Sequence, residues 1–452
     1  MIQSDNPYFF DDYAIRRKGM RRKIYRVCLM LAIIISIGII CSVVYIDVYR
    51  NTPNMITIKA GVTQTIDIDM PLSGKIYTNR SKTDVRASRT VSTNDSVPAA
   101  VQSVSVDFSK KITVTANEVS SYVAKVKLFG IIPFKDIRIE VIDDVRLIPA
   151  GVPIGIYLKT QGILVVDTAS FEDEEGIKRS PADNILKSGD YLLMIDKKKL
   201  NDKSELIDYV EESDGKEVVL TIKRKEEIFD VKLQPYKNSA GEYKIGIWVK
   251  DSAQGIGTLT FVNTDKSFGA LGHGISDSDI GFLINMEEGR LYKAEIVDIK
   301  KGEQGEPGEM TGLIRYTKSN IIGTLFSNSE IGIYGDLDTA FINQLQEEAI
   351  PIATKSEVVL GPAEIICTVD GKPKRYDIRI TSINNNLTIN RELSIEVEDK
   401  ELIRLTGGII QGMSGSPIIQ DGKLVGAVTH VLVKDPTRGY GIFVENMLNH
   451  GN

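Results

Sequence analysis

One long apolar run and many short alternating ones divide this chain of 452 residues. Val27 to Ile46 carries no charge, and twenty residues of helix span about 30 Å, the thickness of a bilayer core. Residues 47–145 then alternate apolar and polar positions with period two. Examples are Ile56-Thr57-Ile58-Lys59-Ala60, Lys111-Ile112-Thr113-Val114-Thr115 and residues 134–142, a pattern that predicts a small β domain. Residues 146–236 mix strands at 154–159, 162–166, 191–195, 218–223 and 228–233 with two helices. Ser180-Pro181-Ala182 reads as a cap with proline at the first helical position. Asn201-Asp202 caps the second helix, in which Leu206, Ile207 and Val210 fall at amphipathic spacing. Residues 237–452 return to short strands, which predicts an all-β barrel or sandwich. Within it, residues 301–309 mimic collagen triplets but are too few for a triple helix, so an exposed loop is expected. Asn384-Asn385-Asn386 reads as a hairpin turn. The expected fold is mainly β, in several domains.

Charge gives the apolar run a direction. Arg16, Arg17, Lys18, Arg21, Arg22, Lys23 and Arg26 precede it, and only Asp47 and Arg50 follow closely. This asymmetry predicts a cytoplasmic basic tail over 1–26, a transmembrane anchor over 27–46, and everything after residue 50 outside the cytoplasm. No small-x-small cleavage site follows the run, so an uncleaved anchor is favoured over a signal peptide. The net charge is -6 and no large basic patch lies beyond residue 50, which argues against a nucleic-acid partner. Cys28, Cys41 and Cys367 show no metal-ligand spacing. Neither a structural zinc, nor a cofactor, nor a fold that depends on a disulfide is expected.

The chemistry concentrates at Gln411-Gly412-Met413-Ser414-Gly415-Ser416-Pro417, between two apolar runs. A serine framed by glycines on a tight turn can present its hydroxyl, and the N–H groups of Gly412 and Ser414 can form an oxyanion hole. Ser416 reads as a turn residue before Pro417. A serine nucleophile needs a base, and the chain has three histidines. His273, between Gly272 and Gly274, sits where the backbone can turn and expose the ring. His430 follows the Ser414 hairpin on a half-buried strand, and His450 is near the end. His273 is the favoured base. Asp277, Asp279, Asp336, Asp338 and Asp399 are all candidates to orient it, and spacing does not choose among them.

Two resemblances sharpen this reading. The segment SPADNILKSGDYLLMIDKKKL resembles the helix–turn–strand part of PDZ domains attached to proteases, which places a PDZ domain at 146–236 and implies a peptide or protein ligand. Gly151-Val152-Pro153-Ile154-Gly155-Ile156 would be the loop and strand receiving a peptide end. The phrases FGALGHGISD, TGGIIQGMSGSPIIQDGKLVGAVTHVLVKDPTRGYGIFVE and VKLFGIIPFKDIRIEVID resemble the stage IV sporulation protein B peptidases, over almost the whole length. That resemblance implies a trypsin-like β-barrel peptidase domain at 237–452, with His273 as base and Ser414 as nucleophile. It implies Asp399, fifteen positions earlier, as the third member, although Lys400 stands where the family often has proline. It further implies a peptidase in the space between the two forespore membranes. There it would cleave itself, with possible release from its anchor, and a regulator of an intramembrane metalloprotease, which triggers sigma factor maturation in the mother cell. The rival reading is a non-catalytic PDZ scaffold on a peptidase-like fold.

Overall fold

A computed structural model describes residues 8–66, 68–78, 104–384 and 390–449. The turn expected at Asn384-Asn385-Asn386 lies largely outside them. The chain opens with a helix, Tyr8–Asn51, whose Tyr25–Asn51 part is long and apolar enough to cross a membrane. A five-stranded sheet follows, in the order Met55–Lys59, Ile132–Ile142, Ser120–Leu128, Leu72–Thr78, Val104–Asp107. Its inward alternation buries Ile58, Leu72, Ile137 and Ile139 in one core.

Two closed barrels form the rest, with the PDZ unit between their strands. In the first barrel Pro153–Thr168, Met286–Lys300, Ile321–Ser329, Gly332–Leu337, Ser267–Ala270 and Ile247–Val262 pair in that order. The last returns to the first. Closure removes the sheet edges and wraps Ile154, Leu158, Leu259, Phe268 and Ile333 inside. The second barrel closes through Gly361–Thr368, Pro373–Ile383, Leu393–Val397, Asp435–Phe443, Lys423–Leu432 and Pro417–Gln420. Its core includes Ile365, Tyr376, Ile395 and Phe443. Cys367 is wholly buried there, and its burial pushes the thiol pKa up, so it acts as a small apolar filler.

The PDZ unit has one helix where two were expected. Lys203–Glu212 forms, with Asp202 Oδ1 accepting the Glu205 N–H at 3.0 Å. After Ser180 there are only turns. Three-residue bonds such as Ile185 N to Ala182 O form, and Asp190 Oδ2 then takes the Lys187 N–H at 2.8 Å, ending the segment before a helix can propagate. The segment 151–156 is also placed differently from the peptide-receiving loop expected there. Ile154 pairs with Gly257 on one side and Lys293 on the other, so it belongs to the barrel wall and has no free edge.

The N-terminal sheet is fixed to the second barrel by a buried charge. Lys59 is 3% exposed; its ammonium donates to Ile352 O and pairs with Glu357 at 3.2 Å. Burial opposes ionisation of Glu357. Hydrogen bonds from Lys423 and the Thr354 N–H, with the charges of Lys59 and Lys423, nevertheless hold its carboxyl at about 2. The folded value lies below the ordinary 4.5, so its stabilisation is complete above that value and is lost as pH falls towards 2. Thermal unfolding between about pH 6 and about pH 3 is expected to show the wild type losing more stability than Glu357→Gln, by roughly 1–3 kcal/mol. Parallel curves would remove this pair from the acid response.

Candidate functional site

The loop bearing Ser414 is assembled by glycines at close approaches. Gly412 and Gly415 both have φ of +98°, in the region that disfavours side chains. A Cβ on Gly415 would stand 2.1 Å from Thr258 O and 2.6 Å from Leu271 N, both of the first barrel. Thr258 binds the loop twice: its hydroxyl donates to Gly412 O at 2.7 Å and its N–H to Ser414 O at 3.1 Å. From the other side, Gln411 N donates to Gly308 O and Met310 N to Gln411 O, both at 2.9 Å. The collagen-like segment is an exposed loop over residues 303–306, as expected, and only its ends at Gly302 and Gly308 are buried. A Cβ on Gly308 would meet Gly302 N and Lys300 O at 2.4 Å, and one on Gly407 would meet Gly302 O at 2.2 Å.

This scaffold leaves two N–H groups, those of Gly412 and Ser414, without an acceptor among the described residues. They are the pair expected for an oxyanion hole. The Ser414 hydroxyl donates to Thr429 O at 2.8 Å. Ser416 is fully buried and cannot be reached from outside.

His273 follows the first-barrel strand Ser267–Ala270, after Leu271 and Gly272, at φ of +72° and +71°. A Cβ on Gly272 would press on Ile442 and Thr429 of the second barrel at 2.9 Å, so this turn sits on the seam between the barrels. The half-buried ring places Nδ1 2.9 Å from Gly274 O. With Nδ1 carrying the proton toward that carbonyl, Nε2 is left as an acceptor. Burial lowers the pKa of His273 against the opposing effect of this carbonyl, which favours the neutral ring. His273 and Ser414 face one cleft of about 300 Å³, walled also by Gly412, Leu271 and residues 253–256.

The carboxylates lie elsewhere. The structure brings His273 and Ser414 together but does not bring Asp399 to them. Asp399 caps the helix Lys400–Thr406, with Oδ1 accepting the Leu402 N–H at 2.8 Å and its own N–H bound to Asp377 O. Asp277 and Asp279 are both held by Lys250, at 2.8 and 2.6 Å. Asp336 lies on the strand Gly332–Leu337 and Asp338 opens the short helix Thr339–Ile342. Among the described residues no carboxylate hydrogen-bonds either ring nitrogen of His273, and no three side chains converge to hold a metal ion. The neighbour of His273 is His430, whose ring centroid is 5.3 Å away at a tilt of 39°. Burial first, then electrostatic opposition from the neighbouring His273 and Arg391, bring the pKa of His430 down to about 4.

Two residues with no sequence signal support the histidine turn. Asn328 accepts the Ile275 N–H at 2.8 Å and donates to Ile275 O and Ile284 O at 2.9 Å. Thr258 positions the serine loop as described. Both are polar residues whose partners lie far away in the chain.

A second site lies on the PDZ unit. Strand Ile247–Val262 begins there, pairing Ile247 with Thr168 and Val249 with Val165. The helix Lys203–Glu212 flanks it, with Lys203 N donating to Asp251 Oδ2 at 3.1 Å. The strand is entered through Ile245-Gly246. Gly246 has φ of +69°, and a Cβ there would meet Ala169 O at 2.5 Å. Residues 247–251 have no second strand partner among the described residues, and Ile245, Leu206 and Val210 supply an apolar floor.

Residues 241–448 match the family model of the SpoIVB peptidase S55, and residues 172–224 match a PDZ-domain model. No curated relative matches the chain. Among solved structures, the PDZ domain of an SdrC-like protein from Listeria monocytogenes is 22% identical, with 20% of this chain and 90% of that one covered and a TM-score of 0.17. The active form of the Rv3671c protease from M. tuberculosis is 14% identical, covering 44% of this chain and 74% of that one, with a TM-score of 0.26. The HtrA-type protease AlgW with a decapeptide is 11% identical, covering 48% and 58%, with a TM-score of 0.26.

The seam predicts the effect of one methyl group. Gly415→Ala forces both the strained φ and the clash with Thr258, so it is expected to destabilise the chain by about 2–4 kcal/mol and to lower its melting temperature by several degrees. An unchanged melting temperature would mean that the barrels do not meet at this glycine.

Proposed function

Residues 241–448 make this chain a member of the SpoIVB peptidase S55 family, a serine peptidase, and on that premise we propose that Ser414 and His273 are its nucleophile and base. The single observation that carries this assignment is their shared cleft, beside two unbonded N–H groups on the serine loop. Rotation of the Ser414 side chain exchanges its bond to Thr429 O for one to His273 Nε2. Oγ then attacks a peptide carbonyl as Nε2 takes its proton. The carbonyl oxygen, now negative, accepts from Gly412 N and Ser414 N. His273 returns the proton to the leaving amine, and water repeats the sequence on the acyl-enzyme.

Asp399 acts at a distance in this reading, by capping the helix that leads through Gly407 and Gly408 to the serine loop. The free edge of residues 247–251, opposite the helix Lys203–Glu212, takes a peptide as an added strand. The basic tail is cytoplasmic, Tyr25–Asn51 anchors the chain, and the barrels lie outside the cytoplasm, in the forespore intermembrane space. The substrates are the chain itself and a regulator of an intramembrane metalloprotease, and cleavage of the latter leads to sigma factor maturation during sporulation.

Full-length protein in detergent is expected to be labelled by a fluorophosphonate and to cleave itself. Ser414→Ala should abolish labelling, and His273→Ala should slow both reactions by about a thousandfold or more. Equal behaviour of wild type and Ser414→Ala would leave only the scaffold reading. Asp399→Asn separates two roles, because asparagine caps a helix about as well as aspartate. Near-normal turnover is expected, whereas loss of an imidazole-orienting carboxylate costs about 10⁴ in rate. Activity should persist below the ordinary imidazole pKa of 6.5, since burial keeps His273 neutral there. An acid limb at or above 6.5 would contradict a buried base.

A further inference from the structure

We infer that the hairpin tip Phe129-Gly130-Ile131-Ile132 enters the bilayer beside the N-terminal helix, giving the β domain a membrane contact of its own. The inference rests on the reading of Tyr25–Asn51 as an anchor. The tip joins strands Ser120–Leu128 and Ile132–Ile142, within one of the phrases the peptidase chemistry leaves unused. Turn chemistry there calls for small polar residues. Instead Phe129, Ile131 and Ile132 are 60%, 79% and 49% exposed. Phe129 also holds a φ of +53°, a conformation that a bulky side chain adopts at a cost. The core of the sheet does not require them, since Leu128 and Ile137 fill it from the same strands.

The helix gives the tip its depth. Met55–Lys59 pairs in parallel with Arg138–Ile142, so the strand of the tip runs away from the membrane as the chain does. Arg138 N bonds Asn54 O, and Lys135 donates to Tyr49 O and Thr52 O at the end of the helix. One step lower, the Phe134 ring packs edge-on against Tyr45 and Tyr49, at 5.3 and 5.6 Å between centroids. Strand and helix therefore descend side by side. From Phe134, three more strand residues at about 3.3 Å each bring Ile131 about 10 Å lower, which equals about seven helix residues at about 1.5 Å. That level is near residue 40, within the uncharged run Val27 to Ile46. The exposed amines of Lys125 and Lys127, just above the tip, stand where phosphate headgroups would lie.

The test uses the full chain with Cys28→Ser and Cys41→Ser, the buried Cys367 being left in place. It is labelled with the environment-sensitive dye NBD at Ile131→Cys, Val43→Cys or Val119→Cys, and reconstituted in phosphatidylcholine–phosphatidylglycerol vesicles. Quenching by acyl-brominated lipid and loss of iodide quenching are expected at 131 and 43, with the reverse at 119, at the far end of the same strand. Iodide access at 131 with lipid quenching at 43 would overturn the tip insertion and leave the anchor standing. Iodide access at both would overturn the anchor and the insertion with it. Shielding at 131 from both quenchers would assign the tip to a protein contact and overturn the inference as well.

Discussion

The site depends on one close approach of two backbones, where Gly415 of the second barrel lies against Thr258 and Leu271 of the first. His273 comes from one barrel and Ser414 from the other, so the cleft they line belongs to neither barrel alone. The contact is possible only without a side chain. Its hydrogen bonds, from Thr258 to both Gly412 O and Ser414 O, fix the turn whose Gly412 and Ser414 N–H groups are left without an acceptor among the described residues. Such donors stabilise a developing charge because they are oriented before the reaction begins.

The glycine-framed serine and the glycine-framed histidine were legible in the sequence because both solve a local problem, a tight turn that exposes a polar side chain. Strand existence was legible for the same reason, since period-two alternation needs only a short window. What escaped was long-range. Asn328 and Thr258 are ordinary polar residues until the fold brings Ile275 and Gly412 to them. Asp399 carried no local sign distinguishing a helix cap from a base-orienting carboxylate, although the helix it begins at Lys400 shows the cap plainly. The collagen-like run was legible as an exposed loop, which residues 303–306 are, but the close packing of its ends was not. That packing sets Gly407 against Gly302, and Gly308 against Gly302 and Ile410.

Buried charge plays a different part at the opposite face. Lys59 and Glu357 join the N-terminal sheet to the second barrel, and removing either partner would leave the other charge buried and unpaired. Phe134 and Lys135 join the same sheet to the end of the N-terminal helix. The second barrel and the N-terminal helix are thus joined through this sheet by packed contacts.

The antiparallel ribbon of Pro153–Thr168 and Ile247–Val262 runs from the PDZ unit into the first barrel through two shifts of register, between Trp248 and Val249 and between Lys250 and Ser252. Beyond these shifts the pairing is regular from Ser252 to Thr258, and because side chains alternate along a strand, losing one residue within that stretch would turn the later positions over, exchanging barrel core for solvent. The PDZ unit cannot be excised as a cassette, since a cut through the ribbon would open the barrel that carries the histidine.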